Sequence, residues 1–398
     1  MDTILEDMTV SEVPTVAKPY ASGQRIMDAD SHVMEPPGWL EEWADPEVRN
    51  LLRPSPRYMS VQSDVDQAIE NAARRASDPV MFAEAEQAVM SAKRWDALGA
   101  WQPQERSHVM DILGFESQLV FPTHSKSQWI NGDLELVVGG HRAANRAMNA
   151  FCGDDERLVA VASVPWLDEK WTMSILLEAL DAGAGAVGVQ AIPGEVSPTH
   201  PQYAGLWATL EERGVPFVLH INGLIRPMNS AFFYNGHDCD APLGNNVRGK
   251  EYMVSHHPPE AFLSALVLDG LFEKHPRLRG GCIELSGVWV ASWLRRLDHC
   301  QEMWGRGDET LPRLPMKPSE YVQRNLFFTP FAGEPVAWMI EQCGESMFMF
   351  SSDYPHWEGT PDPIGTFEAS MNGISDSARE SFYWRNYAEL LGLAIGDE

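Results

Sequence analysis

The sequence is short of three things, and each shortage narrows what the chain can be. Basic residues are scarce: 30 Lys and Arg stand against 57 Asp and Glu, a formal net charge of −27. Nucleic acid and anionic membranes need a basic face, so neither is expected as a partner. A small anionic substrate is not excluded, because a few buried cations or a metal can dominate locally. Long apolar runs are missing, and no stretch approaches the roughly 20 residues of a membrane-spanning helix. The opening MDTILEDMTV is acidic and lacks an apolar core, so no signal peptide is expected. Cysteines are few and scattered (Cys152, Cys239, Cys282, Cys300, Cys343) and form no CxxC. That usage suits a reducing cytoplasm, with the thiols buried as small apolar groups. Several catalytic signatures are also missing. There is no GxSxG elbow, no GxxxxGK[ST] loop, and no GxGxxG between a strand and a helix. The run Gly183–Gly188 leads into a strand and not a helix.

What the chain does have is alternation. Strand-like apolar runs occur at Gln24–Asp30, Gln118–Pro122, Leu158–Val164, Ala186–Ile192, Pro216–His220, Gly281–Leu285, Asn325–Thr329 and Met347–Ser352. Helical patterns over Leu134–Cys152, Met173–Ala182, Tyr203–Arg213, Pro259–Lys274, Val288–Met303 and Glu334–Cys343 separate many of them. Eight strands alternating with helices imply a parallel sheet, and eight is the count that closes a (β/α)8 TIM barrel. A doubly wound open sheet is the alternative. Polar residues cluster at the ends of both the first and last strands, which are adjacent in a barrel and distant in an open sheet. Residues 1–24 read as an N-terminal arm and 25–398 as a single barrel. Two insertions leave from its catalytic end: a helical one at 33–117 after strand one and a lid at 221–258 after strand five. The tail Ser377–Leu393 reads as a closing helix with Tyr383, Trp384, Tyr387 and Leu391 on one face.

The strand ends carry the chemistry. Alternation puts Asp30 and His32 on one face of the first strand. His220 closes the fifth run, and Asp353 follows six apolar or small residues at the eighth, where a carboxylate is costly to bury unless paired or coordinated. Each has an ordinary explanation: a capping Asp, a satisfied core His, an Asp turn before Pro355. As a set, two imidazoles and two carboxylates suit one divalent cation, with Zn²⁺ the default and Mn²⁺ favoured by the hard oxygens. Glu284, ending the sixth run, is an acid/base candidate or half of a buried ion pair. His256 and His257 are candidate proton donors or surface residues. Arg226 is a candidate carboxylate clamp. His124, Phe331, His356 and Trp357 are candidate pocket-lining, substrate-binding residues.

Four segments carry a family resemblance: Asp28–Pro36 (DADSHVMEP), Arg157–Pro165 (RLVAVASVP), Gly270–Leu278 (GLFEKHPRL) and Ser351–His356 (SSDYPH). Through them the chain from about Arg25 to Leu393 resembles the amidohydrolase-2 group of the amidohydrolase superfamily. That group includes aminocarboxymuconate-semialdehyde, resorcylate and carboxyvanillate decarboxylases. The resemblance implies a metal-dependent barrel, often dimeric or larger, acting on a small carboxylate-bearing substrate. Its metal ligands fall on Asp30, His32, His220 and Asp353. Two positions depart from the usual pattern: Asp30 replaces the first His of a His-x-His, and Glu284 stands where the decarboxylases often carry a His.

Three functions follow as expectations. The first is a carboxy-lyase in which Asp353 protonates the carbon that loses CO₂. The second is a hydrolase of an amide, ester, lactone or C–C bond that uses metal-activated water. The third is a barrel that has lost its metal and serves as a binding protein.

Overall fold

The computed structural model describes residues 18–53, 59, 61–221, 232 and 249–394. Seven strands, β1 (Met27–Val33), β2 (Ser117–Pro122), β3 (Leu158–Ser163), β4 (Ala186–Gly188), β5 (Phe217–His220), β6 (Gly280–Ile283) and β7 (Leu326–Phe328), form one sheet in chain order. Every neighbouring pair is parallel. Consecutive parallel neighbours require crossovers, and helices supply them. The longest, Leu134–Cys152, starts where Asp133 accepts the Leu136 N–H at 3.0 Å. Its buried stripe of Val138, His141, Asn145, Met148 and Cys152 follows the helical period. Asp168 caps Glu169–Asp181 in the same way, on the Trp171 N–H.

The expected eighth strand forms only in part. The run from Met347 is bonded first to β7, through Phe328 N–H to Met347 O at 2.7 Å and Met349 N–H to Phe328 O at 2.9 Å. It then turns to β1, through Ala29 N–H to Phe350 O at 3.0 Å and His32 N–H to Tyr354 O at 2.7 Å. The partners change midway, so neither side accumulates a ladder, and only isolated bridges remain at Phe328–Phe348 and Ser31–Tyr354.

The core fits this curling. One buried cluster takes a side chain from each strand (Met27, Leu119, Val161, Ala186, Val218, Ile283, Phe327) and Met349 from the eighth run. Trp384, Tyr387 and Leu390 of the C-terminal segment join it. The Tyr387 hydroxyl lies 2.8 Å from Ser117 Oγ at the start of β2, so this plug sits at the strand N-termini and leaves the other end free. The closing helix is broken into Asp376–Glu380, a π-turn at Ser381–Arg385, and Asn386–Leu391. A larger cluster packs outside, between sheet and helices.

The long β1–β2 connection contains helices Pro46–Arg49, Gln62–Arg75, Pro79–Gln87 and Pro103–Leu113. Most of 221–258 and of the N-terminal arm lies outside the described residues. Where the arm is described, Tyr20 packs on its own chain, with its N–H on Ile112 O and its hydroxyl on Asp362. Among the described residues, no helix is long and apolar enough to cross a membrane.

Candidate metal centre

All seven residues of β1 are buried, and its register against β2 slips between Asp28 and Ser31. Irregularities of this kind re-aim side chains. Asp30 and His32 end side by side, with Oδ1 3.2 Å from Nε2. His220 closes β5, and its Nε2 lies 3.2 Å from Asp30 Oδ1 and 3.5 Å from Glu284 Oε2. Asp353 Oδ1 lies 3.4 Å from His32 Nε2. Glu284 and Asp353 both have left-handed backbone, with φ of 54° and 53°. Such a conformation costs of order 1–3 kcal/mol and persists only where the surroundings impose it. Here the Glu284 N–H is fixed on Thr329 Oγ1 at 2.7 Å and the Asp353 N–H on Asp30 O at 2.9 Å.

The donor atoms of Asp30, His32, His220 and Glu284 all lie within 4.8 Å of one another, and a second group, His32, Asp353 and His356, shares His32 with it. Hydrogen bonding fixes what these atoms present. His220 Nδ1 is 2.7 Å from Ile221 O, so it carries the proton, and Nε2 turns a lone pair toward two carboxylates. Burial, followed by the charges of His356 and His220, pushes His32 well below the ordinary histidine pKa and keeps it neutral. Asp30 Oδ2, His32 Nε2 and Asp353 Oδ2 have no hydrogen-bond partner. Buried acceptors that face only other acceptors are costly. A divalent cation beside His32 would satisfy such acceptors in the first group, with Asp353 approaching through the second, so the residues fit a metal. Burial first, and then the charges of Asp353 and Asp30, push the Glu284 carboxyl well above its usual range. The negative crowding that opposes ionisation there also favours a cation.

His356 is buried behind Asp353. Its Nδ1 is 2.9 Å from Asp353 Oδ1, and its Nε2 is 2.9 Å from Thr123 Oγ1. Thr123 donates its own proton to Val33 O at 2.8 Å, so it accepts from His356. Burial lowers the pKa of this ring, but the Asp353 charge and hydrogen bond outweigh it and the net shift is upward. The ring stacks on His32 with centroids 3.7 Å apart.

Buried charged groups hold this constellation in place. The Asp28 carboxylate accepts the Ser352 N–H at 2.8 Å, the Ser352 hydroxyl at 2.5 Å, Gln118 Nε2 at 2.8 Å and the Asp30 N–H at 3.2 Å. It thereby ties β1 to the run that carries Asp353. Burial pushes its pKa up to about 7 against those bonds. Arg106 donates to His32 O and, at 2.8 Å, to Gly99 O. Glu35 accepts the N–H groups of Thr123, His124 and Ser125, at 3.1, 2.8 and 3.0 Å, fixing the turn after β2. A cavity of about 150 Å³ opens beside the centre, lined by His32, His220, Glu284 and His356 and by apolar Phe121, Val161 and Val218.

Among the sequence candidates, Asp30, His32, His220 and Glu284 share one donor group, and Asp353 lies in the second, which it shares with His32 and His356. His356 lines the cavity but is engaged with Asp353. His124 also lines it, stacked on Trp95 with centroids 4.9 Å apart. His256, His257, Phe331 and Trp357 are not brought in. His256 stacks on Trp289, and His257 is exposed with its ring edge-on to His256. Phe331 packs on Tyr252, and Trp357 is 61% exposed beneath the Arg94 guanidinium. Arg226 lies outside the described residues. Sequence reasoning missed Lys126, Asp28, Glu35, Thr123 and Arg106. For Asp28 and Glu35 a signal existed: acids in or beside an otherwise apolar strand need donors.

Known proteins share this fold. No curated protein matches the chain in sequence. The fold matches an amidohydrolase from Mycobacterium avium subsp. paratuberculosis K-10 with a TM-score of 0.70 at 20% identity, covering 92% of this chain and 99% of that one. It also matches a 5-carboxyvanillate decarboxylase from Novosphingobium aromaticivorans, solved with manganese and 4-hydroxy-3-methoxy-5-nitrobenzoic acid, with a TM-score of 0.64 at 17% identity over 96% and 100% of the two chains. A dihydroxybenzoic acid decarboxylase from Polaromonas sp. JS666, solved with manganese and 2-nitroresorcinol, gives 0.56 at 23% identity over 72% and 85%. The sequence model of the amidohydrolase family matches residues 27–393, nearly the whole chain, and the protein belongs to that family.

Proposed function

We propose that this protein is a metal-dependent decarboxylase of an aromatic or unsaturated carboxylic acid, built on a (β/α)8 barrel. The observation that supports it most is the convergence of unpartnered acceptors on Asp30, His32 and Asp353, with His220 Nε2 and Glu284 beside them. Asp30, His32, His220, Glu284 and Asp353 would hold the ion. Three carboxylates with two imidazoles form a harder donor set than the sequence alone suggested, and this moves the preference from Zn²⁺ to Mn²⁺. When bound, the cation supplies Lewis acidity and a template for the substrate carboxylate and a neighbouring oxygen.

The chain's own residues do the rest. The tautomer of His220 is set by Ile221 O, and the backbone of His32 by Arg106, so both rings face the cavity without rearranging. Asp353 is the proton donor, oriented by His356 Nδ1–H. Its proton passes to the carbon that bears the carboxylate. The C–C bond then breaks, its electron pair returns to the unsaturated system, and CO₂ leaves. The apolar walls at Phe121, Val161 and Val218 exclude water from the carbon being protonated. Hydrolysis is the second reading. It is favoured by Glu284, 3.5 Å from His220, where a carboxylate can take a proton from attacking water. CO₂ release by manganese-loaded protein from hydroxybenzoates, 5-carboxyvanillate and 2,6-dihydroxybenzoate among them, is the test. CO₂ from any member supports decarboxylation. No CO₂ from the panel, with turnover of esters or lactones, selects hydrolysis.

A further inference from the structure

The turn Ser125–Gln128 that follows β2 contributes Lys126 to the cavity wall. Among the described residues, its ammonium has no hydrogen-bond or carboxylate partner. Burial pulls its pKa down to about 8, its charge acts on the His141 ring, and among the described residues no acid is close enough to support it. Lys93 makes the contrast, since that ammonium feels both Asp353 and Glu358. Lys126 is half-buried, and an ammonium partly withdrawn from water without a counter-charge is unfavourable. Yet the turn is held rigidly, because Glu35 spends its carboxylate on the backbone N–H groups of Thr123, His124 and Ser125 and leaves the lysine alone. Around the same cavity stand apolar Phe121, Met148, Val161 and Val189 and, elsewhere on the wall, the proposed metal ligands His32, His220 and Glu284.

We propose that Lys126 binds a second anionic group of the substrate, so that the site prefers an aromatic or unsaturated acid with two anionic groups over a monocarboxylate. The place of the first carboxylate rests on the decarboxylase reading above; the role of Lys126 rests on the cavity and on its missing counter-ion.

Isothermal titration of the full chain, with and without manganese, using isophthalate and benzoate as probes, tests this. The wild type, Lys126→Met and Lys126→Arg are compared. The wild type is expected to bind isophthalate at least about tenfold more tightly than benzoate, as a charge-assisted contact provides. Lys126→Met should lose that preference and keep benzoate binding within about twofold, and Lys126→Arg should retain part of it. Equal wild-type binding of the two acids, or of isophthalate by wild type and Lys126→Met, overturns the proposal. So does an equal loss of both acids in Lys126→Met, or failure of the wild type to bind either. Manganese content of the same samples separates the two readings. A missing preference in manganese-bearing protein counts against Lys126 alone. Wild type without manganese counts against the decarboxylase reading, and the metal-free titrations still decide Lys126.

Discussion

If Lys126 is kept for a ligand, it should weaken the unliganded fold, and replacing it should stabilise the protein. Lys126→Met keeps the length of the stem and deletes the ammonium, leaving the apolar contacts of the wall in place. The magnitude follows from the displacement of its pKa, from the ordinary lysine value of 10.5 to about 8. At about 1.36 kcal/mol per pH unit of displacement, this corresponds to about 3 kcal/mol. The residue lines an open cavity, so water screens the charge, and about 1–2 kcal/mol is the better expectation. The sign is fixed by linkage. A lysine whose pKa is depressed by folding costs stability in full below the folded value and costs nothing above the unfolded one. The gain in Lys126→Met is therefore complete near pH 7 and shrinks as pH rises from about 8 toward 10.5. Scanning calorimetry at pH 7 and at pH 9.5, without metal or ligand, measures it. The expected result is a midpoint raised by about 1–2 °C at pH 7 and by clearly less at pH 9.5. A variant less stable than the wild type at pH 7, or a difference that does not change with pH, would refute the reasoning.

Other residues give sharper losses. Asp28→Ala strands the Ser352 and Gln118 donors in the core and should cost about 3–5 kcal/mol, read as a lower urea midpoint; an effect under about 1 kcal/mol would show that the clamp between β1 and the eighth run is dispensable. His356→Ala removes the partner that orients Asp353, so kcat should fall by about 10–100-fold with metal content unchanged. Loss of metal together with activity would instead make His356 a ligand. Gly359→Ala places a Cβ 2.7 Å from Ser352 O and 2.9 Å from Asp353 O, and it should reduce kcat by displacing the Asp353 backbone while leaving the melting temperature within a few degrees. Unaltered kcat would mean that the loop moves and Asp353 does not.

Much of the site was legible because its residues close apolar runs. His220 ends a buried strand, and Asp30 and His32 end another, so alternation and burial cost pointed at them directly. Glu284 was visible for the same reason, although its place among the donors needed the 3.5 Å approach to His220. The eighth strand was read correctly as an apolar run, but its split allegiance to β7 and β1 depends on pairing across the closure, which no local pattern encodes. His356 and Trp357 show the limit of proximity in sequence: adjacent residues, one buried against Asp353 and the other 61% exposed, because the turn after Asp353 sends them to opposite sides. The adjacency of His256 and His257 likewise said nothing about reach. Lys126 carried no signal at all. A single lysine in a polar turn is ordinary, and what sets it apart is that no described carboxylate meets it in three dimensions. Asp28 and Glu35 stood inside a recognisable segment, but their partners lie 324 and about 90 residues away in sequence.

Metal content, measured by elemental mass spectrometry on purified wild type and on the Asp30→Ala and Asp353→Ala variants after incubation with Mn²⁺, tests the central claim most directly. The account predicts about one divalent ion per chain in the wild type, with manganese retained through gel filtration, and a large loss in both variants. A wild type that holds no divalent ion, or variants that hold as much as the wild type, would contradict it.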